Sequence, residues 1–175
     1  PISLPISLPN HLMPRTHLHG LIEEGNFPAA REHIDEDEVS VDDCVLMCTE
    51  LDERGRTPLA VLAQKAQRHS HFLASVGVSL VYYNEEALTT LNERGENPLE
   101  IARGSEACAE IIGLLSLTPE EARSLGYEEM YRLYAPVAYW REEMMRWIRS
   151  RSYADCHKFI NEHDVELVRE VLKYS

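Results

Sequence analysis

The sequence contains no long apolar run and very little lysine. Its longest apolar stretches, such as residues 80–83 and 135–140, are far shorter than the roughly 20 residues of a membrane-spanning helix, so we expect no membrane insertion. Lysine and arginine number 17 against 30 aspartate and glutamate residues, which gives a net charge of −13 over 175 residues. A field of this sign repels phosphate backbones, so we expect no broad nucleic-acid binding.

Cysteine is also scarce. The four cysteines, Cys44, Cys48, Cys108 and Cys156, show no regular spacing, and the chain has neither an Asn-x-Ser/Thr acceptor nor a secretory signal at its start. These features predict free thiols in a reducing intracellular compartment, either the cytoplasm or an organelle. Because the chain begins with Pro1, we expect a fragment, a processed form or an incompletely traced chain.

Sequence signatures of catalysis are missing as well. No two of the eight glycines are separated by a single residue, and no phosphate-binding loop, nucleophile elbow or zinc-protease helix is present. Cys44 and Cys48 lack a second ligand pair and suit a buried helix face better than a zinc site. We therefore expect no catalytic residue, metal or cofactor. The alternative is an all-α enzyme whose site lies in residues 118–160 and uses Tyr139 and His157.

What the sequence does contain is an internal repeat. Residues 51–60 (LDERGRTPLA) and 91–100 (LNERGENPLE) share a leucine, Glu-Arg-Gly and Pro-Leu at identical offsets. Residues 15–26 (RTHLHGLIEEGN) form a weaker third copy. Thr16, Thr57 and Asn97 follow one another at intervals of 41 and 40 residues, which indicates stacked helical units.

Each repeat copy reads as a turn followed by a helix start. Gly55 suits a positive φ in the turn, Thr57 offers a side-chain oxygen as helix cap, and Pro58 fits the first helical position. Asn97 and Pro98 repeat this design. The apolar positions of both copies are predicted to be buried; they are Leu59, Leu62, Leu99 and Ile101.

These motifs resemble the ankyrin repeat, whose pattern is a turn, Thr-Pro-Leu-His, a short helix and a second apolar helix. The resemblance implies an all-α, ankyrin-like stack of three to four helical hairpins, and it gives His19 a structural role in hydrogen bonding between turn and helix. The usual period is about 33 residues, so we expect extra loops at residues 35–50 and 80–90. A degenerate fourth copy is expected near the C-terminus.

The rest of the chain completes this organisation with a helical insertion and an extended N-terminal arm. The insertion has one helix starting at Thr118 and a second with an apolar face formed by Trp140, Met144 and Trp147. That face is expected either to cap the stack or to dock a partner. The predicted units are an arm at residues 1–11, repeats at 12–117, an insertion at 118–151, and a degenerate repeat or capping helices at 152–175.

With no chemistry predicted, the expected function is non-catalytic protein–protein interaction, as a scaffold or accessory subunit of a larger assembly. A free ankyrin-type adaptor or regulatory domain is the alternative. The partners are expected to be other protein chains, contacted by the proline-rich arm and by turn tips and helix ends. The candidate protein-binding residues are Arg15, Glu53, Arg54, Arg56, Lys65, Glu93, Arg94, Glu96, Trp140, Met144 and Trp147, with Leu12, Met13, Glu23, Glu24, Gln64 and Ser105 at equivalent positions.

The purified protein should bind no nucleotide and contain no stoichiometric zinc, because the phosphate-binding loop is missing and the cysteine ligand sets are incomplete. Metal analysis after dialysis checks this expectation. One equivalent of zinc that survives dialysis and disappears in the Cys44→Ser variant would contradict it.

Overall fold

All regular structure in the described part of the chain is helical. A computed structural model describes residues 15–35 and 38–173, and in these ranges no β-strand occurs, which confirms the all-α prediction for them. The proline-rich arm, with Leu12 and Met13, lies outside the described residues. The α-helices of these ranges are α1 (Arg15–Glu23), α2 (Phe27–Asp35), α3 (Val41–Thr49), α4 (Pro58–Lys65), α5 (His71–Tyr83), α6 (Pro98–Gly104), α7 (Ala109–Leu115), α8 (Pro119–Tyr134), α9 (Pro136–Ser150), α10 (Tyr153–Glu162) and α11 (Val165–Lys173).

The first seven helices pack mainly as three hairpins, with α3 as an additional element. The hairpins are α1–α2, α4–α5 and α6–α7. Their first helices form one row, in which α4 contacts both α1 and α6. Their second helices form another row, in which α5 contacts both α2 and α7. Helix α8 extends this second row along α5 and α7, and α9 packs on α8 and α5.

The helix starts follow the capping chemistry predicted from the sequence. The Thr57 hydroxyl accepts a hydrogen bond from the Ala60 N–H at 3.2 Å, and Pro58 is the first helical residue of α4. Asn97 and Thr118 each form a capping box with the glutamate three residues later. These bonds satisfy backbone donors that have no partner inside the helix, so they fix where α4, α6 and α8 begin.

The main core is centred on α5, where ten of 13 residues are buried. Leu59 and Leu62 of α4 join this core, as predicted, whereas Leu99 and Ile101 of α6 are only half-buried. The expectation of full burial was wrong for these last two residues. In the first-helix row α6 packs on α4 alone, so one of its sides remains open to solvent.

The segments expected to be extra loops are largely helical. Residues 35–50 contain α3, which Ser40 caps through a 3.2 Å hydrogen bond from the Asp43 N–H. Cys44 and Cys48 lie one helical turn apart in α3 and are both buried. Residues 80–90 contain the end of α5 and a 3-10 helix at Glu85–Leu88. The loop prediction was therefore wrong: the Ser40 cap and the burial of Cys44 and Cys48 favour helix in the first segment, and burial of Ala87 and Leu88 favours it in the second.

A second, smaller core joins α9 to the C-terminal helices. Met144, Phe159 and Val171 are buried there, with Trp140 and Trp147 packed against them. Helices α10 and α11 contact each other and α9. This hairpin therefore covers one face of α9, while the opposite side of α9 faces the main stack.

Leu59→Ala should lower the free energy of unfolding by about 2–4 kcal/mol, because the leucine is 1 % exposed and its loss leaves a cavity. Leu51→Ala is the matched control, since Leu51 is 54 % exposed, and it should change stability by less than about 0.5 kcal/mol. Urea unfolding of both variants measures the difference. Equal effects of the two substitutions would contradict the placement of α4.

Candidate functional site

Two matched turns lie before α4 and α6. In the first, the Asp52 side chain accepts hydrogen bonds from the Arg54 and Arg56 N–H groups, both at 2.9 Å. In the second, Asn92 accepts two bonds of 2.9 Å from the residues at the same offsets. Gly55 and Gly95 adopt φ values of 67° and 75°, a region that glycine enters without steric cost. The repeated sequence thus builds the same rigid turn twice.

The two turns line a shared cleft of about 180 Å³ between α4 and α6. The cleft brings together five of the candidate residues from the sequence, two from the first turn and three from the second. They are Arg54, Arg56, Glu93, Arg94 and Glu96. Glu53 and Lys65 are exposed but do not line the cleft, and Arg15 is the first residue of α1. The sequence repeat therefore gathers about half of the candidate set into one place.

Arg56 does not have the exposed position expected of a partner-binding residue. Its guanidinium pairs with the Asp52 carboxylate at 2.7 Å, donates to Gln64 Oε1 at 2.8 Å, and reaches Glu23 of α1 at 3.4 Å. Its side chain is only 10 % exposed. This corrects the surface prediction for Arg56: the charge of this residue is satisfied within the chain, and the residue ties the turn to α1 and α4.

A buried histidine adds a second link between the first turn and α1. His19 Nε2 lies 3.0 Å from the Arg56 carbonyl oxygen, which can only accept, so the ring donates this bond. His19 is 4 % exposed. The structural hydrogen-bonding role predicted for His19 is thus visible as a direct bond from α1 to the next turn.

The first turn also shifts the pKa of the Asp52 carboxyl group. Burial alone would raise the pKa of Asp52, but hydrogen bonds from the Arg56 backbone and side chain, together with the Arg54 N–H, outweigh it and hold that pKa below its ordinary value. The ionised carboxylate is therefore the form that the folded turn prefers.

The apolar face of α9 is covered by the chain itself. Met144 is 2 % exposed, and the Trp140 ring lies 5.1 Å from the Phe159 ring and 4.5 Å from the His163 ring, measured between centroids. This corrects the prediction that Met144 faces a partner, because the α10–α11 hairpin occupies that side of α9. Trp140 and Trp147 remain half-buried at the edge of the second core.

The alternative catalytic residues do not form a recognisable centre. Tyr139 packs edge-on against the Tyr131 and Trp140 rings, while His157 is exposed on α10. In the described ranges, no group of three or more His, Cys, Asp or Glu side chains is arranged to hold a metal ion. Helices long and apolar enough to cross a membrane are likewise not found there.

Sequence reasoning missed an arginine-lined cavity between the second-helix row and α9. Arg31 of α2, His71 of α5 and Arg141 of α9 meet there although they are far apart in sequence. The only signal in the sequence was the spacing of Ala138, Arg141, Met145 and Arg149 along α9, which places these residues on a second face of that helix.

Asp52→Asn should destabilise the protein by about 1–3 kcal/mol at pH 7, because it keeps the turn acceptor but removes the ion pair with Arg56. Since the folded-state pKa of Asp52 is depressed, this stabilisation is fully present above the ordinary aspartate pKa, about 3.8, and is lost as the pH falls through the lower folded value.

Urea unfolding at pH 7, 4 and 2.5 should therefore show the difference between the wild type and Asp52→Asn shrinking at the lowest pH. Glu53→Gln, at an exposed carboxylate of the same turn, is the control and should change little at any pH. A destabilisation by Asp52→Asn that does not depend on pH would argue against the ion pair.

Comparisons with known proteins found no family model, no curated protein and no solved structure that matches the chain. They leave the resemblance to the ankyrin repeat as a prediction. The cleft between the two turns and the arginine-lined cavity are thus the features of this chain from which a function can be argued.

Proposed function

We propose that this chain is a non-catalytic protein–protein interaction module, a scaffold or accessory subunit whose contact surface is the cleft between the two matched turns. The observation that carries the proposal is that both turns present an arginine at the same offset, Arg54 and Arg94, on the walls of one cleft. Both arginines are exposed, and the described residues provide no ion pair for either.

The rigidity of the turns supports a binding role. Each turn is closed by two side-chain acceptor bonds and by backbone bonds, such as that from the Asp52 N–H to the Arg56 carbonyl at 3.0 Å. A preformed surface loses little conformational entropy when a partner docks. The turns are therefore suited to hold exposed side chains in register for a partner.

The charges of the cleft suggest what kind of surface would bind. Arg54 and Arg94 line the cleft together with Glu93 and Glu96, so the surface carries both signs. Single exposed ion pairs contribute little affinity, but a complementary pattern aligns partners and disfavours wrong ones. The fitting partner is a protein segment of mixed charge, with carboxylates spaced to meet the two arginines.

The proposal extends to an ankyrin-like architecture for the stack. It is supported by the two rows of helices, by the caps of α4 and α6, and by the bond from His19 to the next turn. The chain departs from the family pattern in its longer period and in α3, which is inserted between the first two hairpins. Such stacks present turn tips and helix ends as binding surfaces.

An accessory subunit and a free adaptor would both use this surface. Neither the arm nor the apolar face of α9, which the sequence offered for partner contacts, decides between them. The arm lies outside the described residues, and the α9 face is covered by α10 and α11. An accessory subunit should elute from its native source in a stable complex, whereas a free adaptor should elute mainly as a monomer. Size-exclusion chromatography separates the two roles.

The Arg54→Glu/Arg94→Glu variant should lose at least tenfold of the partner that co-purifies with the wild-type protein. The control is Arg68→Glu/Arg103→Glu, which has the same net charge and reverses two exposed arginines outside the cleft. Quantitative mass spectrometry after affinity purification from the native source measures both, with thermal melting to verify folding. Full partner recovery by the cleft variant, or equal losses in both variants, would refute the proposed surface.

A further inference from the structure

A second concave feature lies on the other side of α5 from the α1–α4–α6 row. It is a cavity of about 780 Å³, within the size range of small-molecule sites. Its walls come from α2, α5, α8 and α9. The cavity shares no lining residue with the turn cleft. Its ligand would therefore be recognised separately from the protein partner proposed above.

The cavity concentrates positive charge in a chain whose net charge is −13. Four arginines line it, Arg31, Arg141, Arg146 and Arg149, against a single lining carboxylate, Glu142, among the described residues. Two of these arginines are engaged in the chain: Arg31 with Asp35, and Arg146 with Glu143 at 2.6 Å. When these pairs and Glu142 are counted, one positive charge remains in excess.

The remaining arginines are the ones available to a ligand. Neither Arg141 nor Arg149 forms an ion pair with a carboxylate of residues 15–35 and 38–173. They lie two helical turns apart on α9, which places both on one wall. Guanidinium groups bind carboxylate and phosphate through paired, charge-assisted hydrogen bonds.

His71 holds Arg141 in position. Burial, the Arg141 charge and His69 lower the pKa of His71, so the ring is neutral at pH 7. Its Nε2 lies 3.1 Å from Arg141 Nη1 and accepts that bond, because a guanidinium can only donate. One donor of Arg141 is used in this way, and no residue of 15–35 or 38–173 accepts a hydrogen bond from its other donors, which can meet an oxyanion.

Glu142 offsets one positive charge, as counted above, and its carboxylate is engaged by a neighbour. It accepts a 2.7 Å hydrogen bond from the Tyr131 hydroxyl. Arg31 is fixed in a similar way, by bonds to Ser79 Oγ at 2.6 Å and to the Tyr127 hydroxyl at 2.7 Å. These contacts fix the wall of the cavity that Arg31, Tyr131 and Glu142 form, here called the rear wall. The site is therefore formed before a ligand arrives.

The start of α5 adds to the positive potential. His71, Phe72 and Ser75 line the cavity and belong to the first turns of this 13-residue helix. The N-cap residue, Ser70, makes no side-chain capping hydrogen bond. The N-terminal end of a helix carries partial positive charge, which favours an anion beside it.

The rest of the lining is apolar. Phe72, Ala138 and Met145 face the cavity together with the ring of Tyr131. An inorganic ion would leave most of this surface uncovered, whereas an organic anion would bury its apolar body there. We propose that the cavity is a binding site for a small organic oxyanion, either a phosphate monoester or a carboxylate with an apolar body, whose charged group is held by Arg141 and Arg149.

Isothermal titration calorimetry tests the site with phenyl phosphate, phenylacetate and inorganic phosphate as probes. Phenyl phosphate or phenylacetate should bind one site per chain, and at least tenfold more tightly than inorganic phosphate. The tighter of the two organic probes identifies the charged group. Equal affinity for inorganic phosphate and the organic probes would overturn the proposal, as would no detectable binding of either organic probe at millimolar concentration.

The residues are tested with Arg141→Gln/Arg149→Gln, which should weaken binding of the tighter probe at least tenfold. The matched control, Arg68→Gln/Arg103→Gln, removes two exposed arginines elsewhere and should bind as the wild type does. If the double variant fails to fold, Arg149→Gln alone, at an exposed side chain, should still weaken binding about threefold. Unchanged affinity in the folded variants would refute the role of these arginines.

A readout on the wild-type protein locates the probe. With methyl-labelled methionine, the Met145 resonance should shift on titration, while those of Met47 and Met130, buried in the main core, should not. Binding without a Met145 shift would place the ligand elsewhere and overturn the assignment. The Arg54→Glu/Arg94→Glu variant should bind the probe normally, so failure of this site and failure of the turn cleft are distinguishable.

Discussion

The burial of α5 is the constraint on which the rest of the structure depends. This helix contacts α2, α3, α4, α7, α8 and α9, and its buried residues extend around most of its circumference. Gly77 allows α7 to approach closely: a Cβ at this position would lie 3.1 Å from Leu114 Cδ2 and 3.2 Å from Ile111 Cδ1 of α7. Both rows of helices and the α8–α9 pair are therefore ordered around one apolar element.

The polar groups of a helix buried this completely need hydrogen-bond partners. Arg31, which also lines the cavity, supplies two of these hydrogen bonds. Ser75 and Ser79 of α5 are buried, and Arg31 donates to the Ser75 carbonyl at 3.3 Å and to the Ser79 hydroxyl. The same guanidinium lies 5.2 Å from the centre of the Tyr131 ring on α8. Arg31 thus stabilises the packing of α2, α5 and α8 and at the same time forms the rear wall of the cavity.

Interactions between residues close in sequence made much of the fold predictable. Contacts between residues far apart in sequence could not be predicted. Thr57, Asn97 and Thr118 could be identified as helix caps because a cap acts within three residues of itself. Helix α3 was missed because the acidic residues that precede it resemble a solvated loop. The spacing of Cys44 and Cys48 was nevertheless that of a buried helical face. The repeat predicted the two turns that line the cleft, since equivalent offsets give equivalent local structure, but it did not predict the cleft itself. The repeat could not predict that Arg56 is buried, because two of the residues that bind its guanidinium, Glu23 and Gln64, lie outside the repeated motif.

The two proposed sites differ from their surroundings in how the chain uses its arginines. Six arginines with described side chains pair with a carboxylate, and two of these, Arg31 and Arg56, also link neighbouring helices through their hydrogen bonds and ion pairs. An arginine that stays without such a partner in a concave surface keeps most of its hydrogen-bonding capacity for another molecule. Arg54 and Arg94 have this character in the turn cleft, and Arg141 and Arg149 have it in the cavity. The arginines at these concave positions offset the repulsion that the net negative charge of the chain exerts on an approaching anionic group, which favours binding there.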